Sequence, residues 1–177
     1  DGDSAVAVFT RQLDSLEQEL AEQLPLEQSI RVQEAPTCAE VQQAMRNRSS
    51  LLWTRRPEHW SFLNVRLGTG SDRSRNTVVK SREGAAALLE YADKVDAIID
   101  RFAVVDGVPI LESPDIAGCI GVVGPQEAAF GLLRGLLLQW VGLHSPAELV
   151  VTVLGGPTDG AELDWPQWLP HNPSTQS

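Results

Sequence analysis

An apolar run, a glycine turn and a helix pattern meet in GVVGPQEAAFGLLRG, residues 121–135, which is the layout of a loop that grips phosphate. In a working loop, glycines let backbone N–H groups surround the phosphates, a lysine neutralises them and a Ser or Thr hydroxyl holds magnesium. With the first glycine at Gly124, the second falls on Ala129, the lysine on Phe130 and the hydroxyl on Gly131. Glu127 adds a negative charge facing the phosphates. What remains is a helix N-terminus, whose dipole favours an anion. Gly121, Gly124, Pro125, Gln126 and Glu127 are therefore the candidate cofactor-binding residues of a degenerate loop. Loss of the cation and the magnesium ligand should remove most affinity for Mg-ATP, because charge-assisted contacts to phosphate are the strong ones. The competing reading is a tight strand-to-helix turn such as any α/β domain contains, and catalysis by this loop is not expected.

Other residues suited to chemistry are dispersed. His59, His144 and His171 are scattered, Cys38 and Cys119 lie far apart, and no pair has metal-ligand spacing, so no metal is expected and the thiols read as free in a reducing compartment. Arg55, Arg56 and Arg66 could pair with acidic groups of a neighbouring module or contact a nucleotide; the plainer reading is surface arginines flanking a strand. Trp53, Phe62, Trp165 and Trp168 could form an exposed contact surface, since tryptophan and arginine dominate binding hot spots, or a core that closes a sheet edge. Asp164 could hold its loop through backbone N–H groups, and no paired carboxylate or histidine neighbours it in sequence. Pro166 argues against Trp165 and Trp168 sharing a helix.

The elements that must position these residues follow from periodicity. Phe9, Leu13, Leu16, Leu20 and Leu24 recur every three or four residues, giving a helix with a narrow apolar stripe, as on a stalk. Pro25 should kink or end it, with a weak resumption through Ile30 and Val32. Thr37 and Glu40 form a capping box for a helix from Cys38 to Arg48. Phe62, Val65 and Leu67 read as a strand closed by the glycine turn GTG, TVVK as another, and residues 83–100 as a helix with Ala85, Leu88, Leu89, Ala92, Val95 and Ile99 on one face. AVVDGVPIL reads as a strand, a DG turn and a short extended piece. GCIGVVG, the helix PQEAAFGLLRGLLLQWVGLH and AELVVTVLGG form an expected βαβ unit. Its strands, apolar on both faces, should be central and covered by helices. The fold class expected is α/β, a layered and mainly parallel sheet with flanking helices, plus the N-terminal stalk-like helix. The net charge of −10 argues against general nucleic-acid binding, and no apolar run approaches the roughly 20 residues a bilayer span needs.

Three stretches carry a family resemblance. LLWTRRPEHWSFLNVRLGTG resembles the LW-x-RRP…FL-x-VR-x-G-x-G signature of the type VII secretion membrane ATPases, the EccC/EssC branch of the FtsK/SpoIIIE group. GVVGPQEAAFGLLRGLLLQWVGLHSPAELVVTVL, with Arg134, Gln139 and the HSP turn from His144, resembles their next block, and LDWPQWLPH their tryptophan-rich block. His59 and Trp60 depart from the acidic and small residues common between RRP and FL. The resemblance implies a membrane-proximal domain between transmembrane helices and tandem ATPase modules, with a RecA-like fold lacking a standard Walker A motif. It further implies a stalk at residues 1–36, an ATPase-like domain at 37–177 that ends before its sheet is complete, and a location on the cytoplasmic face of the cell membrane. The expected role is coupling of stalk to motor modules, with little or no hydrolysis; unorthodox ATP binding and hydrolysis, or an adaptor role, are the alternatives. No cofactor is expected, Mg-ATP being the one candidate. Implied partners are the protein's own motor modules and other membrane components of the secretion complex, in an oligomer of hexamer type.

Overall fold

The computed structural model describes residues 2–79, 89–155 and 164–173, and it divides into two compact units, Asp1–Glu34 with Gly68–Ile110 and Ala35–Leu67 with Leu111–Ser177. In the first unit, α1 (Gly2–Glu34) turns the leucine stripe inward, with Leu20 buried and Leu13, Leu16 and Leu24 half-buried. Pro25 neither ends nor interrupts it: the helix runs through, and the proline lies on the exposed face. Beyond Pro25 the inward stripe keeps its spacing but changes chemistry, continuing through Glu27 and Arg31 and not through Ile30 and Val32, which are exposed.

Strands β1 (Val65–Arg73) and β2 (Val104–Glu112) form a two-stranded sheet. Ser74 bonds back to Ala103 and Ser71 to Asp106, so one number rises as the other falls and the pair is antiparallel. Neither glycine signal makes a turn. GTG lies within β1, where Gly70 leaves room for Ile110, whose side chain would lie 3.2 Å from an added Cβ. The DG pair lies within β2, where Gly107 takes a left-handed φ of 69° without reversing the chain. Thr77 to Val79 form no strand, and Lys80 falls outside the described residues. Helix α3 (Leu89–Arg101) buries Ile98; the expected helix start at 83–88 also falls outside them.

In the second unit, α2 (Cys38–Asn47) starts with the expected capping box: Thr37 Oγ1 accepts the Glu40 N–H at 3.2 Å and Glu40 accepts the Thr37 N–H at 2.7 Å. It packs on α5 (Gln126–Leu143) across Gly142, where an added Cβ would lie 2.3 Å from Val41. The short α4 (Pro114–Ala117) precedes α5.

The expected layered parallel sheet is absent from the described residues. Around α5, neither 118–124 nor 147–155 forms a strand, and the one sheet among the described residues is the antiparallel pair. A strand apolar on both faces requires a ladder on its edges and cover on its faces. These segments have neither: Val123 is 99% exposed and Leu154 92%, and the backbone bond that fixes the second segment runs from the Val151 N–H to the His171 carbonyl at 2.8 Å. Residues Trp165–Trp168 form one turn of 3-10 helix after all, with Pro166 in its first turn, where a missing N–H costs nothing.

Candidate functional site

An α-helix leaves its last four carbonyls without partners inside the helix. At the end of α5 every one of them is taken. Trp140 O accepts the His144 N–H at 3.0 Å and its ring Nδ1–H at 2.9 Å. Val141 O accepts the Trp53 indole N–H at 3.2 Å, Gly142 O the Trp53 backbone N–H at 3.0 Å and Leu143 O the Arg55 N–H at 2.9 Å. The His144 carbonyl, next in line, accepts His171 Nε2–H at 2.8 Å. Trp53 and Arg55 thus close the end of a helix nearly ninety positions further along the chain.

The clamp continues through residue 66. His144 Nε2, its proton being on Nδ1, accepts the Leu63 N–H at 3.0 Å, and Trp140 Nε1 donates to the Leu63 carbonyl at 2.9 Å. Gln139 pairs with the backbone of Arg66 as a neighbouring strand would, accepting its N–H at 2.8 Å and donating to its carbonyl at 3.0 Å. Phe62 meets the His144 ring edge-on at 5.1 Å between centroids. Burial pushes the His144 imidazole below the ordinary histidine pKa, which keeps it in the neutral form this geometry requires. Trp53 and Leu63 both hold left-handed backbone conformations, φ 55° and 62°, which bulky residues adopt only where surroundings enforce them.

The three arginines have separate tasks. Arg55 is buried, and its guanidinium donates to the Ser61 carbonyl at 3.0 Å and the Asn64 carbonyl at 2.6 Å. Burial pushes its pKa down, though a guanidinium keeps its charge. Arg56, exposed, pairs with Glu148 at 2.8 Å. Arg66 donates to the Ala35 carbonyl at 3.0 Å. The loop residues Gly121, Gly124, Pro125, Gln126 and Glu127 are exposed at the start of α5, and Pro125 gives the helix no side-chain cap. Neither Gly121 nor Gly124 has a positive φ, and an added Cβ on either meets nothing within 4 Å, so nothing there requires glycine. Phe130, at the lost lysine position, lines an open groove of about 590 Å³ between one face of α5, residues 149–154 and Trp165. Trp168 is 80% exposed.

The first unit also holds a charged cluster that no motif in the sequence announces. Glu27 accepts from Arg31, the Arg75 N–H, Ser74 and Asn76, and Arg31 also bonds Asp72 and the Arg73 carbonyl. Burial pushes the Glu27 carboxyl up, but the bonds from Ser74, Arg75 and Arg31 and the charge of Arg31 outweigh it and leave the pKa below the usual range. The available signal was spacing: 20, 24, 27 and 31 continue one helical stripe. No group of His, Cys, Asp and Glu suited to a metal ion occurs among the described residues.

No family model matches the chain. It is 30% identical over 126 residues to the ESX-4 secretion system protein EccC4 of Mycobacterium tuberculosis, covering 68% of this chain and 10% of that protein. It is 27% identical over 126 residues to the ESX secretion system protein EccC of Thermomonospora curvata, and 28% identical over 129 residues to the ESX-5 secretion system protein EccC5 of Mycobacterium marinum, in each case over 70% of this chain. Those matches cover 10% and 9% of the two proteins, so the chain spans about a tenth of the length of these relatives. Among the described residues no helix is long and apolar enough to cross a membrane. On the strength of these matches the chain belongs to the EccC family of type VII secretion.

Proposed function

We propose that this domain is the membrane-proximal coupling element of a type VII secretion ATPase, standing on the cytoplasmic face between the membrane stalk and the motor modules and passing changes between them with little or no hydrolysis of its own. The observation that carries this reading is where the motif residues point. Trp53, Arg55, Gln139, Trp140 and His144 direct their polar atoms at backbone groups of residues 61–66 and 140–143. Such an arrangement makes a stiff body, which transmits displacement, and uses inward the groups that a phosphate would otherwise engage.

Gln139→Leu in the full-length parent tests it. Loss of both bonds to Arg66 strands two polar backbone groups and should cost about 2 kcal/mol of stability in this domain. Export should fall while ATP hydrolysis by separately purified motor modules stays unchanged. Normal export despite the measured destabilisation would end the coupling reading. Mg-ATP titrated calorimetrically into this domain is expected to give no heat of binding; micromolar binding would favour the nucleotide reading instead. The exposure of Trp168 favours, as a second reading, an adaptor face for another component of the secretion machine.

A further inference from the structure

Between the ends of α2 and α5 the second unit opens a cavity of about 380 Å³, whose walls include Met45, Arg48, Leu52, Trp53, Val141 and Leu169. Those walls are almost wholly apolar, no carboxylate lines them, and Arg48 is their one Lys or Arg. The Arg48 side chain is exposed and makes no hydrogen bond or ion pair among the described residues, so its charge is free to swing over whatever enters. Trp53 is 42% exposed while its indole N–H is tied to the Val141 carbonyl, which makes the ring an open wall already fixed in place. Of the three non-glycine residues with left-handed φ among the described residues, two line this opening, Arg48 at 49° and Trp53 at 55°. A helix end in that conformation ordinarily takes glycine, and bulky residues held there at a cost gather at binding sites.

From this we infer that the cavity is a docking site for a partner protein, which inserts one large apolar side chain and sets a neighbouring carboxylate against Arg48. The choice of occupant follows from charge. The apolar walls select the inserted side chain, and an unpaired cation in a chain of net charge −10 selects an acidic residue beside it. A basic neighbour, which the rest of so acidic a chain would attract, meets repulsion at this opening. Tryptophan and arginine are also the residue types that most often anchor an interface, and both stand at the walls here. Met45, unbranched and with three rotatable bonds, lets the pocket adapt to the side chain it receives. The site needs neither nucleotide nor motor activity, so it stands or falls apart from the coupling role.

The test is a titration of this chain with the peptide acetyl-Gly-Glu-Phe-Asp-Gly-amide, followed by the NMR resonance of the Trp53 indole N–H. Replacing both acids of the peptide by their amides should weaken binding about three- to fivefold, the range of an exposed ion pair. Replacing its phenylalanine by alanine should weaken binding about tenfold or more, through the apolar area no longer buried. Arg48→Gln changes an exposed side chain without touching the packing. It should erase the preference for the acidic peptide and leave the affinity of the amide peptide as it was. 3-Phenylpropanoate carries the same ring and charge without a peptide, and should bind more weakly than the acidic peptide. Tighter binding of 3-phenylpropanoate assigns the cavity to a free carboxylic acid and overturns the proposal. So does equal affinity for the acidic and amide peptides, or for the phenylalanine and alanine peptides. A preference that survives Arg48→Gln, or an indole resonance that no peptide moves, overturns it too.

Discussion

At the scale of single residues, the buried pair Glu27–Arg31 carries the most consequence for stability. Both members are largely buried, and removal of one leaves the other uncompensated. Glu27→Leu should therefore destabilise the first unit by about 3 kcal/mol, read from urea denaturation. The pH dependence has a definite sign. Glu27 has a lowered folded pKa, so its contribution is complete above the ordinary glutamate value of about 4.3 and is lost as pH falls below that towards the folded value. Asp72, lowered by its bonds to Arg31 and the Arg73 N–H, adds a loss of the same sign. The wild type should lose stability on acidification through this window, and Glu27→Leu should lose less. The pair could have been found by continuing the α1 stripe past Pro25 without asking its members to be apolar. Arg55 was less accessible to sequence: nothing in RRP distinguishes the buried arginine from Arg56, because the distinction arises from carbonyls at Ser61 and Asn64 that only the folded turn brings together.

At the scale of elements, local signals were dependable where local physics decides. The Thr37–Glu40 capping box and the α5 periodicity each depend on neighbours within a few residues, and both appear as expected. Strands depend on partners elsewhere. GTG and DG resemble turns in isolation, yet lie inside β1 and β2, while the most apolar segments pair with no strand among the described residues. Hydrophobicity says that a segment seeks cover, and it does not say what supplies the ladder. Helix α1 offers a direct test of how a local rule was overridden. Pro25 denies it one hydrogen bond and sits on an exposed face, so Pro25→Ala should raise stability, by as much as about 3 kcal/mol. A rise in thermal midpoint with unchanged circular dichroism would bear this out; a fall would mean that the proline shapes α1 in a way the packing needs.

At the scale of the molecule, the second unit presents Ile116, Val123 and Leu154 almost fully to solvent. In the domain alone these side chains support nothing, and Val123→Ser with Leu154→Ser should change its stability by no more than about 0.5 kcal/mol. In the full-length secretion protein the same double change should reduce export if this surface meets a motor module, and leave it intact if it does not. The family itself was legible from blocks of sequence. The sheet was not, because apolar character does not supply strand partners, and the segments flanking α5 lie outside any ladder among the described residues.

The closed end of α5 has a mechanical meaning. Carbonyls at a helix C-terminus point along its axis, so the bonds from Trp53, its indole and Arg55 lie close to the direction in which that helix would be pulled. Tension on α5 loads them together, not one after another. Such a joint holds without stretching and then parts at a single threshold force, behaving as a rivet where a zipper would peel.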